Sequence, residues 1–364
     1  MKTGFPHLGN FYIPMKAFLA ELGLEPLVPP MISARTINLG TKHAPEFVCF
    51  PFKVNLGNFL EAAEAGAECL LMVGGSGPCR FGYYAAVQKE IMREAGYGGE
   101  FIILEAPQRG CREFWAKVRR LTPRRPFASL GKALQIFWHK ARALEQIDRQ
   151  ANRTRPREKT PGFTNRLQHR FYHCLDEAGS LRQVSLLAKQ YAEELEAETL
   201  PGREWIPKVV LLGEFYMVLE DRVNFQMERV LGELGVEVRR DFYLTDWIRE
   251  HLLYNLVKPG WRHKYQRLAA PYLQNEVGGH GLETVAGTVA AGINREAGVV
   301  HLAPFTCMPE IIAMQALPAI SRDQAIPALS VIIDEHAAEA GIRTRLEAFV
   351  DLVRYHGIRN RQKA

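Results

Sequence analysis

Cys69-Leu70-Leu71-Met72-Val73-Gly74-Gly75-Ser76-Gly77-Pro78-Cys79-Arg80-Phe81-Gly82-Tyr83-Tyr84 is the stretch on which the fold turns. The apolar run 69–73 reads as a buried strand that stops at a glycine cluster, and a helical pattern begins directly behind Cys79. A thiol set between a strand end and a helix start sits on backbone that approaches a ligand closely. It also lies near the positive end of the helix dipole, which favours thiolate. Outward from this stretch, Phe101-Ile102-Ile103-Leu104 reads as a second buried strand after the turn Gly96-Tyr97-Gly98-Gly99. Toward the N-terminus, a short strand is expected over 2–5, an amphipathic helix over 11–22 ended by Gly23, and a strand over 25–30 closed by prolines. Cys49 opens a helix to about residue 65, with Pro51 in the first turn, where a missing N–H costs nothing. Strands alternating with helices point to a parallel, doubly wound sheet.

Residues 112–204 break that rhythm. They read as helical throughout, basic at first and acidic at the end, divided by Pro123, Pro126, Pro156 and Pro161. The alternation returns with a strand over 208–214, a helix over 224–234 capped by Gly235, and a strand over 236–238. A long helical stretch to about residue 275 follows. Then come Gly278-Gly279-His280-Gly281, a helix over 282–295, a strand over 299–304, a helix from Cys307, a strand over 330–334 and a helix over 343–356. The expected fold class is therefore α/β: two doubly wound parallel-sheet domains with a helical insertion between them. The boundaries are an N-terminal α/β domain over 1–111, a helical basic insertion or lid over 112–204, and a C-terminal α/β domain over 205–364.

The 364 residues suit two or three domains, and 47% hydrophobic content suffices for sizeable cores. No apolar run approaches the ~18 residues that span a bilayer, and the first residues lack a signal-peptide core, so no membrane partner and a cytoplasmic location are expected. Six scattered cysteines are too few for a disulfide framework. The net charge of +6 is local: residues 112–159 hold 14 Lys and Arg against 4 Asp and Glu, and the remainder sums to −4. That stretch reads as a solvated basic face or as a contact for an acidic partner, a CoA-like phosphate or nucleic acid. No nucleic-acid-binding signature accompanies it, which disfavours the last. Gly74-Gly75-Ser76-Gly77 is not a dinucleotide fingerprint and no Walker lysine is present, so no nucleotide is expected.

Cys49, Cys79 and Cys307 share one context, each at or just before a helix start with a proline adjacent or two residues on. Ligands of open α/β sheets collect beyond the carboxyl ends of the strands. Three thiolates delivered there suit an iron–sulfur cluster with one open iron, or a zinc site completed by another residue. The alternative is three ordinary buried thiols. Cys69 reads as core and Cys174 as packing among Phe171, Tyr172 and Leu175, while Cys111 shares part of the trio's context. Lys53, one helical turn after Cys49, is either a cation for that site or a surface lysine. Arg80 is the same or a salt-bridge partner. His280 sits either in an anion-binding turn or in one that merely needs positive φ. Glu214 and the pair Glu335 and His336 end strands at ligand-facing positions, and a histidine there is suited to moving a proton near neutral pH.

Several separated motifs then come in a familiar order: Cys49-Phe-Pro-Phe-Lys53-Val-Asn-Leu-Gly57, Gly77-Pro-Cys79-Arg80-Phe-Gly-Tyr-Tyr84, Gly213-Glu214-Phe-Tyr216, Gly279-His280-Gly281, Pro304-Phe-Thr-Cys307-Met-Pro-Glu310, and Asp334-Glu-His336 with Thr344-Arg-Leu-Glu-Ala-Phe349. In this order the chain resembles the iron–sulfur proteins related to the small subunit of 2-hydroxyacyl-CoA dehydratases, a superfamily with benzoyl-CoA reductase relatives, activase-associated proteins and double-cubane cluster proteins. The resemblance covers most of the chain outside 112–204. It implies a cysteine-bound cluster seated between α/β domains, with Cys49, Cys79 and Cys307 as ligands; from their own positions, Lys53 and Arg80 are the candidates to sit beside it, and Glu214, His280 and His336 the candidate catalytic groups. It further implies a dimeric ATP-hydrolysing activase that injects a low-potential electron, and a small-molecule substrate that is hard to reduce, such as an acyl-CoA. A second dehydratase-like subunit or a homodimer belongs to the same expectation. A double cubane needs more thiolates than three, with only Cys111 and Cys174 as extras, so a single [4Fe–4S] cluster is the expected cofactor. Both an enzyme component and a non-catalytic electron relay or scaffold are compatible with this pattern.

Overall fold

The run 69–73 forms strand β3 (Cys69–Val73), and it pairs in parallel with β1 (Lys2–Gly4) on one side and β4 (Glu100–Leu104) on the other. In the computed structural model, residues 1–74, 79–104, 116–117, 119–121, 127–201, 205–250 and 262–362 are described, and the chain divides into two units, Met1–Lys140 and Ala141–Ala364. With β2 (Glu25–Leu27) the first unit completes a four-stranded parallel sheet of order β2-β1-β3-β4. Side chains alternate across a strand. Cys69 and Leu71 accordingly pack with Leu19 and Leu22 of helix α1 (Tyr12–Glu21). On the opposite face, a side chain at Gly4 would meet Leu70 and Ala62 of α3 (Phe50–Glu64). Helices thus cover both faces. Helix α4 (Phe81–Glu94) makes the crossover from β3 to β4. Leu121 and Ala133, from the helical segment, join this core.

The second unit repeats the plan with strands β5 (Lys208–Gly213), β6 (Glu237–Arg240), β7 (Gly298–Pro304) and β8 (Ala328–Ile333), all parallel in the order β6-β5-β7-β8. Every residue of the inner strand β7 is buried, the pattern of a strand covered on both faces. Val299 packs with Ala291 of one helix (Gly281–Ile293). A side chain at its neighbour Gly298 would strike Phe349 and Val353 of the C-terminal helix (Glu339–Gln362) on the other face. The α/β class with two parallel sheets is therefore as the sequence leads one to expect.

Numbered in chain order, α2 is Ala34–His43, α5 Phe127–Thr154, α6 Phe163–Glu177 and α7 Leu181–Glu198. After β5 come α8 (Phe215–Leu219), α9 (Met227–Glu233), α10 (Leu244–Ile248) and α11 (His263–Ala269); Gly281–Ile293 is α12, Met308–Asp323 is α13 and the C-terminal helix is α14. Some of these depart from expectation. Helix α2 lies where no element was expected, because it holds few apolar residues (ARTINLGTKH), although these fall on one helical face. The helix expected over 224–234 begins only at Met227, since Phe225 and Gln226 both adopt positive φ. The long helical stretch to 275 is α10 and α11 in its described part, with residues 251–261 outside the description.

The stretch 112–159 is only in part a solvated basic face. Lys140 and Arg155 are buried, and Arg155 donates to Asn152 (2.8 Å), Asn165 (2.8 Å) and Gln168 (2.5 Å). Arg149 pairs with Asp246 at 2.6 Å and lies over the Tyr243 ring. These guanidinium groups are spent on internal partners of the second unit.

Candidate functional site

In the first unit, α2 and α3 form a tight antiparallel hairpin. Two glycines permit it: a Cβ on Gly40 would stand 1.7 Å from the Lys53 carbonyl oxygen, and one on Gly57 2.0 Å from that of Thr36. Buried Glu61 ties the far end, accepting from Thr36 (2.8 Å) and Arg35 (3.2 Å). At the near end Cys49 is the N-cap of α3, in extended conformation and followed by Pro51 in the first turn. Its Sγ is in contact with the Tyr84 hydroxyl. Tyr84 stands in the first turn of α4 and meets the Phe52 ring edge-on at 5.0 Å. Cys79, half-buried, immediately precedes α4. Its neighbour Arg80 donates to the Phe47 carbonyl (2.7 Å), so the backbone segments carrying Cys49 and Cys79 are stitched together. Gly75, Ser76, Gly77 and Pro78 lie outside the described residues, as does Cys111.

Lys53 is 6% exposed, which rules out a surface lysine. Arg80 bonds to a backbone carbonyl at this edge. Cys69 is fully buried in the sheet, and burial, reinforced by Glu100, pushes its thiol up to about 12, so it is inert as a ligand at neutral pH. Cys174 is half-buried with Sγ 3.4 Å from the Tyr191 hydroxyl, in keeping with packing between α6 and α7.

In the second unit Cys307 repeats the position of Cys49. It is the extended N-cap of α13, with Pro309 in the first turn, and follows Thr306, which is held at φ 63°. The helix then turns Glu310 inward, fully buried. One of its oxygens accepts from Thr284 (2.9 Å) and pairs with His301 Nε2 (2.9 Å), while His301 Nδ1 meets Ser330 Oγ on the adjacent strand (3.1 Å). The other oxygen, Oε1, has no hydrogen-bond partner among the described residues. Glu214 caps α8 through Met217 N–H (2.9 Å). Burial pushes its carboxyl up to about 7, the backbone hydrogen bonds of Met217 and Tyr216 oppose this, and nearby Glu310 adds to it.

Phe215, next to Glu214, stacks on Phe242 (5.3 Å) and meets the His280 ring edge-on (5.4 Å). His280 is half-buried and lines a cavity of about 190 Å³ with Asp241, Phe242, Trp247 and Glu283. Gly278 and Gly279 before it both have positive φ, so the turn needs its glycines. The structure thus packs His280 against the ring of Phe215, the residue after Glu214. His336 is exposed, with its N–H on Asp334 Oδ1 (2.9 Å). Tyr84, His301, Glu310 and Asp241 carry contacts that sequence reading assigned no role. Tyr84 and Glu310 stood inside the quoted motifs, and an acid in the first turn of a helix reads as dipole stabilisation until its inward partners are known.

Two cysteine thiols on one edge of the first unit, and a third at the matching position of the second, none of them in a disulfide, are soft donors of the type that iron–sulfur clusters take. Among the described residues no group of three or more His, Cys, Asp and Glu side chains is gathered as a metal ion requires. The chain matches no family model, and it matches no curated protein. Among the described residues, no helix is long and apolar enough to cross a membrane.

Proposed function

We propose that the chain is an iron–sulfur redox protein resembling the small subunit of 2-hydroxyacyl-CoA dehydratases. In this reading Cys49, Cys79 and Cys307 hold a single [4Fe–4S] cluster. Low-potential electrons come from a dimeric ATP-hydrolysing activase, in the cytoplasm, and serve to reduce or dehydrate an acyl-CoA or a similarly reluctant small molecule. The observation that carries it is the setting of the thiols. Each lies at a helix start near exposed apolar side chains: Phe47, Phe81 and Tyr83 beside Cys49 and Cys79, Phe305 and Met308 beside Cys307. Helix N-termini stabilise thiolate, and apolar surroundings lower the local dielectric and give a partner a surface to cover.

When bound, the cluster would supply one-electron transfer and an open iron. The chain's own groups do the rest. Glu214, with a carboxyl titrating near 7, is suited to hold and release a proton at neutral pH. Lys53 would offset cluster charge from one turn along α3. Phe215, which follows Glu214 in the chain, packs edge-on against the His280 ring. A non-catalytic electron relay uses the same thiols without Glu214 or His280.

Anaerobic purification tests the proposal. The expected product is brown, holds about four irons and four sulfides per chain if one cubane is bound, and loses most of both in Cys79→Ala, whereas Cys69→Ala retains them. Full-length folded protein without iron after anaerobic reconstitution would sink the idea. Turnover of a thioester with activase, ATP and reductant, lost in Glu214→Gln while the cluster persists, separates enzyme from relay.

A further inference from the structure

We propose that the outer face of helix α14 pairs with the same face of a second copy of this chain, the two helices running antiparallel about a twofold axis at Tyr355. The inference goes beyond the redox reading, since it uses the second unit alone and needs no cluster. Helix α14 carries apolar side chains on two opposite faces. Ile342, Leu346, Phe349, Val350 and Val353 are buried, and a Cβ on Gly357 would strike the Trp205 ring. At 3.6 residues per turn these positions share one side of the helix. Leu352, Tyr355 and Ile358 project from the other side and stand 45%, 62% and 57% exposed.

A helix on the surface of a globular protein ordinarily keeps its outer face polar. The charged residues framing this stripe indicate what covers it. Asp351 precedes Leu352 and Arg359 follows Ile358, and both are exposed. The contact of Asp351 with Arg354 is long, 4.0 Å, and leaves the Asp351 side chain 81% exposed, while Arg354 donates to the Leu234 carbonyl (2.6 Å). In an antiparallel pair centred on Tyr355, residues equally far before and after it face each other across the two copies. Asp351 of each copy then meets Arg359 of the other, Leu352 meets Ile358, and the two Tyr355 rings meet at the axis. A twofold contact requires this kind of self-complementarity.

Other pairings of the same two helices fail on charge. A parallel pair would set Asp351 against Asp351 and Arg359 against Arg359. An antiparallel pair slipped by one turn would place one of these charges opposite Tyr355. The apolar side chains supply the attraction, and the charge pairs select the direction and register. A partner of different sequence would need an apolar stripe framed by the same charges in reverse order, which a second copy presents by symmetry. Because the stripe is short, the dimer is expected to be weak, with a dissociation constant on the order of 10–100 μM.

Sedimentation equilibrium of the full chain tests this between about 1 and 200 μM. The protein is purified in air, free of iron, and kept in a thiol reductant so that no disulfide links two chains. The mass is expected to climb from 41.2 kDa toward twice that value as concentration rises. Tyr355→Glu should remain monomeric throughout, at unchanged far-UV dichroism. Asp351→Arg should weaken the dimer at least about tenfold, because two contacts turn repulsive at once, and adding Arg359→Asp to the same chain should restore it. A wild-type chain that stays monomeric at the highest concentration overturns the proposal. So does a dimer that keeps its affinity in Tyr355→Glu, or a double reversal no tighter than Asp351→Arg alone. Should Tyr355→Glu not fold, the two exposed charge variants decide by themselves. Because no iron is present, failure here leaves the cluster reading untouched.

Discussion

The first unit and the second each begin a helix with a cysteine in extended backbone followed by a proline, and they surround that start with opposite chemistry. Behind Cys49, the first two turns of α3 are buried on all sides, with Phe50, Phe52, Val54 and Leu56 in the core and Lys53 as the buried cation. Behind Cys307, the same turn of α13 sends in Glu310, which engages His301 and Thr284. One thiol is set beside a tyrosine hydroxyl and apolar rings, the other three residues from a carboxylate and a buried imidazole. The lesson is that a strand-and-helix scaffold fixes where a thiol stands, whereas the residues one turn further on decide what acid–base company it keeps.

The comparison breaks most severely at Gly40. Gly40→Ala would drive a Cβ into the Lys53 carbonyl oxygen and force α2 off α3. A loss of more than about 3 kcal/mol is expected in urea unfolding, since the obstacle is backbone rather than a movable side chain. The Cys49 thiol should become freely reactive to a thiol reagent in any folded remainder. An unchanged midpoint would mean that the helix hairpin does not set the Cys49 site.

Next in size is Glu310→Ala, which leaves His301 Nε2 and Thr284 Oγ1 buried without their acceptor. A loss of about 2–3 kcal/mol is expected by denaturant unfolding, and Glu310→Gln should recover part of it because an amide oxygen still accepts. Equal stability of all three chains would show that the second unit does not depend on this network.

The smallest effect is a titration. Burial raises the Glu214 carboxyl from its ordinary 4.5 to about 7, so the folded chain keeps a proton that the unfolded chain releases. The stabilisation from holding it is complete below pH ~4.5 and is lost as pH rises to ~7. Carboxyl infrared difference spectra should show a protonated band that fades with a midpoint near 7 and is absent in Glu214→Gln. Removing the neighbouring charge in Glu310→Gln should shift that midpoint down. A midpoint near 4.5 in the wild type would remove Glu214 as a neutral-pH proton carrier.

Much of this was legible from local sequence. Short apolar runs bounded by glycine and proline located most of the strands, because a strand buried on both faces must be apolar throughout. Cys49 and Cys307 were readable as helix starts because a proline in the first turn costs no helical hydrogen bond. Helix α2 escaped because it holds few apolar residues, and its close fit to α3 depends on Gly40 and Gly57 meeting backbone across the hairpin, a tertiary contact. Glu310 stood in a quoted motif with no role of its own, and only the sheet placed His301 in its reach.

Parallel α/β architecture, the two families of strands and the positions of the thiols follow from the chain's own pattern of apolar runs and breakers, since these depend on local propensity and burial periodicity. Which groups meet was decided by tertiary structure. The contact of Cys49 with Tyr84, the Glu310–His301–Ser330 chain and the packing of Asp241 against Gly287 of α12 join residues 9 to 46 positions apart. Hydrogen bonds and charges act over a few ångströms in space, and no spacing along the chain reports that distance.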